Sequence, residues 1–318
     1  MAILKTEMKN YAYSLAVHGG AGTIRREDLS ADQERAYRTA LENAVSAGYT
    51  ILEQGGSALD AVEAAVAAME DSELFNAGRG SVFTHDERIE MDAAIMCGHS
   101  LDAGSVAAVE QVRNPIRLAR RVLDRSPHVM LGGAGALQFA RDQGLPMEPL
   151  DYFATAFRRQ QLDEARAADR VQLDHQARKP DKYGTVGAVA KDAQGHLAAA
   201  TSTGGITNKR YGRIGDSPIT GAGNYANDAT CAVSCTGFGE YFMRAVAAYD
   251  LSCLMEYKGL SLWEAARHLV LDKLPALGGE GGLIAVDARG RLVLPFNSEG
   301  MYRAWQYAGE EIHTAVFE

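Results

Sequence analysis

Three stretches of the chain set a side-chain hydroxyl beside glycine. Gly184-Thr185 opens the run GTVGAV, Thr201-Ser-Thr-Gly-Gly205 closes the strand-like segment after it, and Ser234-Cys-Thr-Gly237 stands ahead of a helix-like segment. Glycine leaves neighbouring N–H groups sterically open, so hydroxyls at strand ends can share a pocket with backbone donors. A threonine hydroxyl is a poor nucleophile without a base. An economical base is the α-amine of the same residue, which exists only if the chain is cut between Gly184 and Thr185. That amine has an ordinary pKa of about 7.7–8.0, so activity would fall as pH drops through it. Alone, Thr185 is explained by the β-propensity of threonine. Two further hydroxyl–glycine motifs downstream, and a polar segment ending at the same bond, favour acyl transfer.

Other chemistries find less support. His18-Gly-Gly-Ala-Gly22 is not GxGxxG, and no Walker-type phosphate loop occurs. The histidines at 18, 85, 99, 128, 175, 196, 268 and 313 form neither H-x-x-x-H nor H-E-x-x-H, and Cys231 and Cys235 lack a partner pair. The spacing therefore gives no zinc site and disfavours a metal-dependent hydrolase. There is no G-x-S-x-G elbow. A non-enzymatic small-molecule binder with Gly-rich loops is the alternative from another class.

The elements that must position these residues read as mixed α and β. A strand at 13–17 runs into the 18–22 glycine loop, helices follow at 31–54 and 57–71, strands near 89–96 and 104–109, and helices at 115–125 and 133–143. Residues 145–183 contain no glycine and read as a long surface connection, helical first and polar afterwards. Beyond Thr185, hairpins at 186–200 and 283–294 bracket two helices near 238–257 and 261–274. Sheet covered by helices, with matching layers from the first half, gives an α+β four-layer α/β/β/α sandwich.

Composition sets the outer bounds. The 318 residues are 47% hydrophobic and 23% charged, ordinary for a globular chain with one large core. A net charge of -9 argues against binding nucleic acid by phosphate neutralisation. No apolar run reaches the ~18 residues of a membrane span. Lys5, Glu7 and Lys9 interrupt any leader-like apolar core, and four cysteines make no disulfide framework, so a cytoplasmic location is expected.

Several motifs in a fixed order carry a resemblance. Besides the glycine-rich 18–22 and the three hydroxyl motifs, these are Phe75-Asn-Ala-Gly-Arg-Gly-Ser81, Gly212-Arg-Ile-Gly-Asp-Ser-Pro218, Ser234-Cys-Thr-Gly-Phe-Gly-Glu240 and Pro295-Phe-Asn-Ser-Glu-Gly-Met-Tyr302. From about Val17 to Tyr307 the chain resembles the plant-type L-asparaginases / isoaspartyl peptidases, of the N-terminal-nucleophile hydrolase class. The resemblance implies self-cleavage into an α subunit, residues 1–184 with the connection 145–184, and a β subunit, residues 185–318, which together form one αββα domain and assemble as (αβ)2. It implies hydrolysis of β-aspartyl dipeptides and L-asparagine. Glycosylasparaginases share Arg213, Asp216 and the threonines but typically have Asp before the nucleophile, where this chain has Gly184.

Residue by residue, the resemblance makes Thr185 the nucleophile, supported by Thr203. Arg213 would grip the substrate α-carboxylate through its planar fork and Asp216 the α-ammonium. Thr236 and Gly237 would form the oxyanion hole, Gly239 would lie along the substrate, and Asn76 would sit near the nucleophile. No cofactor is implied for catalysis. The loop 69–79 resembles the family's sodium-binding loop, with carbonyl donors at Met69, Glu70, Ser72, Phe75, Ala77 and Arg79. The first ten residues, preceding the family's usual start, are expected to form an arm without function. Residues 1–184 carry 21 Lys+Arg against 27 Asp+Glu and residues 185–318 carry 11 against 14, so opposite net charge cannot join the two pieces. A shared core must.

Overall fold

The computed structural model describes residues 9–22, 24–167 and 184–317. Of the expected N-terminal arm, residues 1–8 lie outside these, as does the polar half of the connection, 168–183.

Serine caps begin the first two helices. Ser30 makes a reciprocal capping box with Gln33 at the start of α1 (Ala31–Glu53). Ser57 Oγ accepts the Asp60 N–H at the start of α2 (Ala58–Glu70), while the Asp60 carboxylate turns to Arg120 instead of closing the box. The further helices of the first half are α3 (Pro115–Arg125), α4 (Gly133–Asp142), α5 (Leu150–Phe153) and α6 (Ala156–Ala167). The last two supply the helical start of the connection. In the second half lie α7 (Gly239–Ala245), α8 (Ala247–Lys258) and α9 (Leu262–Arg267), the last continuing through a π-helical turn to Ala276. The single helix expected near 238–257 is broken at Val246, which adopts φ 49°. The following amides of Ala248 and Tyr249 bond to the carbonyls of Ala222 and Gly221, so a loop takes the donors a continuous helix would use.

The strands are β1 (Ser14–Gly22), β2 (Met91–Cys97), β3 (Ala103–Val109), β4 (Met130–Gly132), β5 (Val186–Lys191), β6 (Leu197–Thr203), β7 (Asn224–Ala226), β8 (Cys231–Gly237), β9 (Gly281–Asp287), β10 (Leu292–Val293), β11 (Gly300–Tyr307) and β12 (His313–Ala315). They form an eight-stranded sheet in the order β12-β11-β1-β5-β6-β2-β3-β4 and a four-stranded sheet in the order β10-β9-β8-β7. Among these strands of the described residues, only β3 and β4 pair in parallel.

Alternation along the strands sorts side chains into three apolar layers. Leu15, Val17, Val186, Ala188 and Ile95 face α1, α2 and α3. Ala16, Val189, Ala199, Ile284 and Val286 meet between the sheets. Val233, Cys235, Leu283 and Ala285 face the helices after β8. The result is the expected α/β/β/α sandwich. Among the described residues no helix is long and apolar enough to cross a membrane.

Two expectations need correction. The first half does not supply separate matching layers: strands from both sides of Gly184 alternate within the large sheet, and β1 lies between β11 and β5. The two hairpins also part company, β5–β6 joining the large sheet and β9–β10 the small one. Second, 18–22 is not a loop after a strand. It is the strand itself, bulged between His18 and Gly20. Pairing with β11, which continues through Gly22 after β5 leaves the strand at His18, overrides the poor β-propensity of glycine.

Candidate active site

The register of the β5–β6 pair places Val186 opposite Ser202, so Thr185 and Thr203 face each other at the head of the pair. Thr185 Oγ1 donates to Thr203 Oγ1 at 3.2 Å and lies 3.5 Å from Ser217 Oγ. Thr203 Oγ1 also accepts the Gly205 N–H at 3.0 Å. Both threonines are buried. A cavity at this point is lined by Gly184, Thr185, Thr203, Gly205, Ile206, Arg213, Gly215, Asp216, Ser217 and Gly237. Motifs separated by tens of residues thus converge, as the hydroxyl–glycine pattern required.

The peptide ahead of Thr185 is packed against glycine. Gly20 has φ 112°, and a Cβ there would lie 2.6 Å from Gly184 N. Any side chain on this bulge would displace the Gly184–Thr185 segment.

Two charged residues form the far wall. Arg213 places Nε 3.0 Å from Glu240 Oε1 and Nη2 2.8 Å from Glu240 Oε2. Asp216 is buried, and burial pushes its carboxyl up to about 7 although Arg213 pulls it down. Its Oδ2 has no hydrogen-bond partner among the described residues, so it is a buried acceptor available to a cation. Gly239 runs alongside both: a Cβ there would lie 2.6 Å from Asp216 Oδ1 and 3.0 Å from Arg213 Nη2.

The remaining expected residues sit one step back. Thr236 Oγ1 accepts the Ala21 N–H at 3.2 Å, tying β8 to β1, while Gly237 reaches the cavity. Asn76 donates Nδ2 to the Gly205 carbonyl at 2.7 Å and accepts from Val82 N at 3.0 Å. Its backbone carbonyl takes the Gly204 N–H. Asn76 therefore braces the turn after Thr203, with its side-chain amide committed there.

Beneath the site, His18 Nε2 is 2.9 Å from Ser234 Oγ, which is 2.7 Å from Thr201 Oγ1. Complete burial pushes the His18 imidazole down to about 3, against a smaller opposing pull from the Thr185 backbone. His18 is neutral at working pH and contributes no ionisation near neutrality. Ser217 and Glu240 were not singled out from sequence. Both stand inside quoted motifs, directly after Asp216 and Gly239, so adjacency to a charged or glycine position was the available signal.

In the loop 69–79, Gly78 and Gly80 occupy positions where a Cβ would run into the carbonyl oxygens of Glu70 and of Phe75 and Glu73. The loop thus folds several carbonyls inward around side-chain-free positions, which fits a hard monovalent cation. Met69 and Ala77 carbonyls also accept the Ser72 and Gly80 N–H groups. The Arg79 charge is met by Glu73 at 2.6 Å and lies over the Tyr152 ring. The Glu70 side chain faces the other way, accepting from Ser202 Oγ and Ile116 N, and burial pushes it up to about 8.

A family model described as asparaginase (Asparaginase_2) matches residues 11–316. An isoaspartyl peptidase of Salmonella typhimurium is 55% identical over 306 residues, covering 95% of this chain and 98% of its own. An isoaspartyl peptidase of Escherichia coli is 54% identical, with 95% of each chain covered. An isoaspartyl peptidase/L-asparaginase of Bos taurus is 42% identical, again over 95% of each chain. Sandwich, convergent hydroxyls and full-length similarity agree, and the chain belongs to the asparaginase family.

Proposed function

We propose that this chain cuts itself between Gly184 and Thr185 and then hydrolyses β-aspartyl dipeptides and L-asparagine. The observation that carries the reading is the Thr185–Thr203 hydroxyl pair facing a cavity whose other wall is Arg213 and Asp216. Those two charges complement the α-carboxylate and α-ammonium of an aspartyl group. The names of the Salmonella, Escherichia and bovine relatives point to the same substrates.

In the mature enzyme the α-amine of Thr185 takes the proton from its own Oγ1 as that oxygen attacks the side-chain amide carbon. Thr203 holds the hydroxyl in line. The Gly237 N–H, with Thr236, stabilises the developing oxyanion. The amine returns the proton to the leaving nitrogen, releasing ammonia or an amino acid. Water then attacks the acyl-threonine ester by the same route and frees L-aspartate.

The pieces 1–184 and 185–318 share one core, since β1–β4 and β5–β6 alternate in one sheet. We read the working unit as (αβ)2, without nucleic-acid or membrane partners, in the cytoplasm; the four free cysteines suit a reducing compartment. The carbonyls of Met69, Glu70, Ser72, Phe75, Ala77 and Arg79 would hold a sodium ion that stiffens the loop carrying Asn76. No cofactor enters the chemistry.

Intact mass of purified protein tests the cut, with ammonia release from asparagine and dipeptide hydrolysis measured in parallel. A free Thr185 amine and both activities are expected. Selective acetylation of that amine should abolish turnover with the fold intact. A single uncut chain with full activity would overturn the reading.

A further inference from the structure

We propose that His99, His196 and Asp228 form a binding site for a divalent transition ion of the zinc class, at the turn end of the β5–β6 hairpin, opposite the end that carries Thr185 and Thr203. Their donor atoms lie within 4.8 Å of one another. His196 Nδ1 is 2.8 Å and His99 Nδ1 3.5 Å from the same oxygen, Asp228 Oδ2. Ligands about 2.0–2.2 Å from a tetrahedral zinc lie about 3.3–3.6 Å from each other, so the two histidine–Asp228 separations need only sub-ångström adjustment and the imidazoles a small rotation to seat an ion. Two imidazoles and one carboxylate are the ligand types zinc takes when it keeps a fourth position for water, and His99 is the exposed member that leaves this side open.

The backbone holds the three ligands in place. Gly98 N donates to Leu197 O at 2.7 Å, Asp228 N donates to Gly98 O at 3.0 Å, and Leu197 N donates to Asp228 Oδ1 at 2.8 Å. This closed ring of bonds links the residues beside each ligand and leaves Asp228 Oδ2 turned to the imidazoles. His196 N is itself fixed to Asp192 Oδ1 at 2.9 Å. The imidazole rings stand 4.1 Å apart at 50°. The histidine spacing in sequence hid this cluster, because its ligands come from the β2–β3 turn, the β5–β6 turn and the β7–β8 turn.

The placement gives the ion a structural task. His99 belongs to residues 1–184, and His196 and Asp228 to residues 185–318. Where the chain is cut at Gly184–Thr185, the ion bridges the two pieces; this consequence rests on the function proposed above, whereas ion binding does not.

The test uses full-length protein stripped with EDTA and titrated with zinc chloride by calorimetry, with cobalt(II) as the absorbing probe. The expected result is one zinc per chain, the visible absorption of four-coordinate cobalt, and a higher melting temperature with zinc. His99→Ala and His196→Ala should each weaken zinc binding by more than about 100-fold, since loss of an outer-shell partner alone costs about 10–100-fold. Dipeptide hydrolysis in EDTA should be unchanged in both variants, which reports an intact fold. Thr185→Ala should bind zinc as the wild type does, whether or not it is cut. In cut protein, zinc should raise the urea concentration at which the two pieces separate. Stoichiometric zinc in a chain that is never cut supports the site and removes only the bridging role. Absence of stoichiometric binding, or binding unchanged in both histidine variants, overturns the site and leaves Asp228 as an ion-pair partner only.

Discussion

Arg213 spends one edge of its guanidinium on Glu240. Two parallel hydrogen bonds, Nε to Oε1 at 3.0 Å and Nη2 to Oε2 at 2.8 Å, lock the fork before any ligand arrives. A substrate carboxylate therefore meets the Nη1 side, which lies beside Gly205 and Gly215 in the cavity wall. Glu240 also offsets the positive charge next to the buried Asp216.

Arg213→Lys keeps the charge and loses the geometry, because an ammonium cannot hold Glu240 and a substrate carboxylate in one plane. A drop in kcat/KM equivalent to about 2–5 kcal/mol is expected. Glu240→Gln retains a hydrogen bond to the fork and should cost less, chiefly in KM. Steady-state kinetics on a β-aspartyl dipeptide measures both, and equal hydrolysis of a substrate lacking the α-carboxylate would remove Arg213 from this role.

Thr185→Ala should leave one uncut chain with no activity, since the hydroxyl serves both self-cleavage and hydrolysis. Thr185→Ser should retain partial cutting because the oxygen remains. Gel electrophoresis and intact mass read the outcome, and two normal fragments from the alanine variant would contradict the nucleophile assignment.

The Asp216 carboxyl, raised by burial to about 7, sets a pH dependence. Only its ionised form pairs with a substrate ammonium, so kcat/KM should rise as pH increases through about 7. The bound ammonium favours the carboxylate, which moves the corresponding limb in kcat to lower pH. For stability the sign is opposite to that of a salt-bridged acid. The folded pKa exceeds the unfolded value of 3.8, so this group's contribution falls as pH rises from there to about 7. Asp216→Asn should abolish that kcat/KM limb and leave the one belonging to the Thr185 amine; an unchanged profile would refute the assignment.

Gly20→Ala should block processing. Its Cβ would sit 2.6 Å from Gly184 N at a backbone φ of 112°, so either the bulge or the scissile peptide has to move. The variant is expected to accumulate as the single chain while keeping its far-ultraviolet circular dichroism spectrum. Cutting at the wild-type rate would show that the peptide tolerates the shift.

Glu70→Gln should stabilise the protein at alkaline pH. Burial pushes this carboxyl from 4.5 to about 8, so folding stability attributable to it declines as pH rises between those values. Glutamine supplies the same acceptor to Ser202 and Ile116 without an ionisable proton. Urea melts across pH 6 to 9 should show the variant losing less stability than the wild type.

The amino-acid sequence by itself marked the three hydroxyl–glycine motifs and the helices of the first half. Thr185, Thr203, Thr236 and Gly237 lie in short glycine-bearing motifs, where the demand for open backbone is local and so is written locally, whereas Arg213, Asp216 and Gly239 came only with the family resemblance. Ser57 announces its helix in the same way, because a cap satisfies donors within one turn. Tertiary structure alone decided that strands from both sides of Gly184 alternate in one sheet, and that the 18–22 glycines are a strand. It also turned Glu240 onto Arg213 and gathered His99, His196 and Asp228 into one cluster. These depend on which distant strand satisfies a given edge and buries a given face. Backbone hydrogen bonds are the same for every residue type, so local spacing holds no record of that choice.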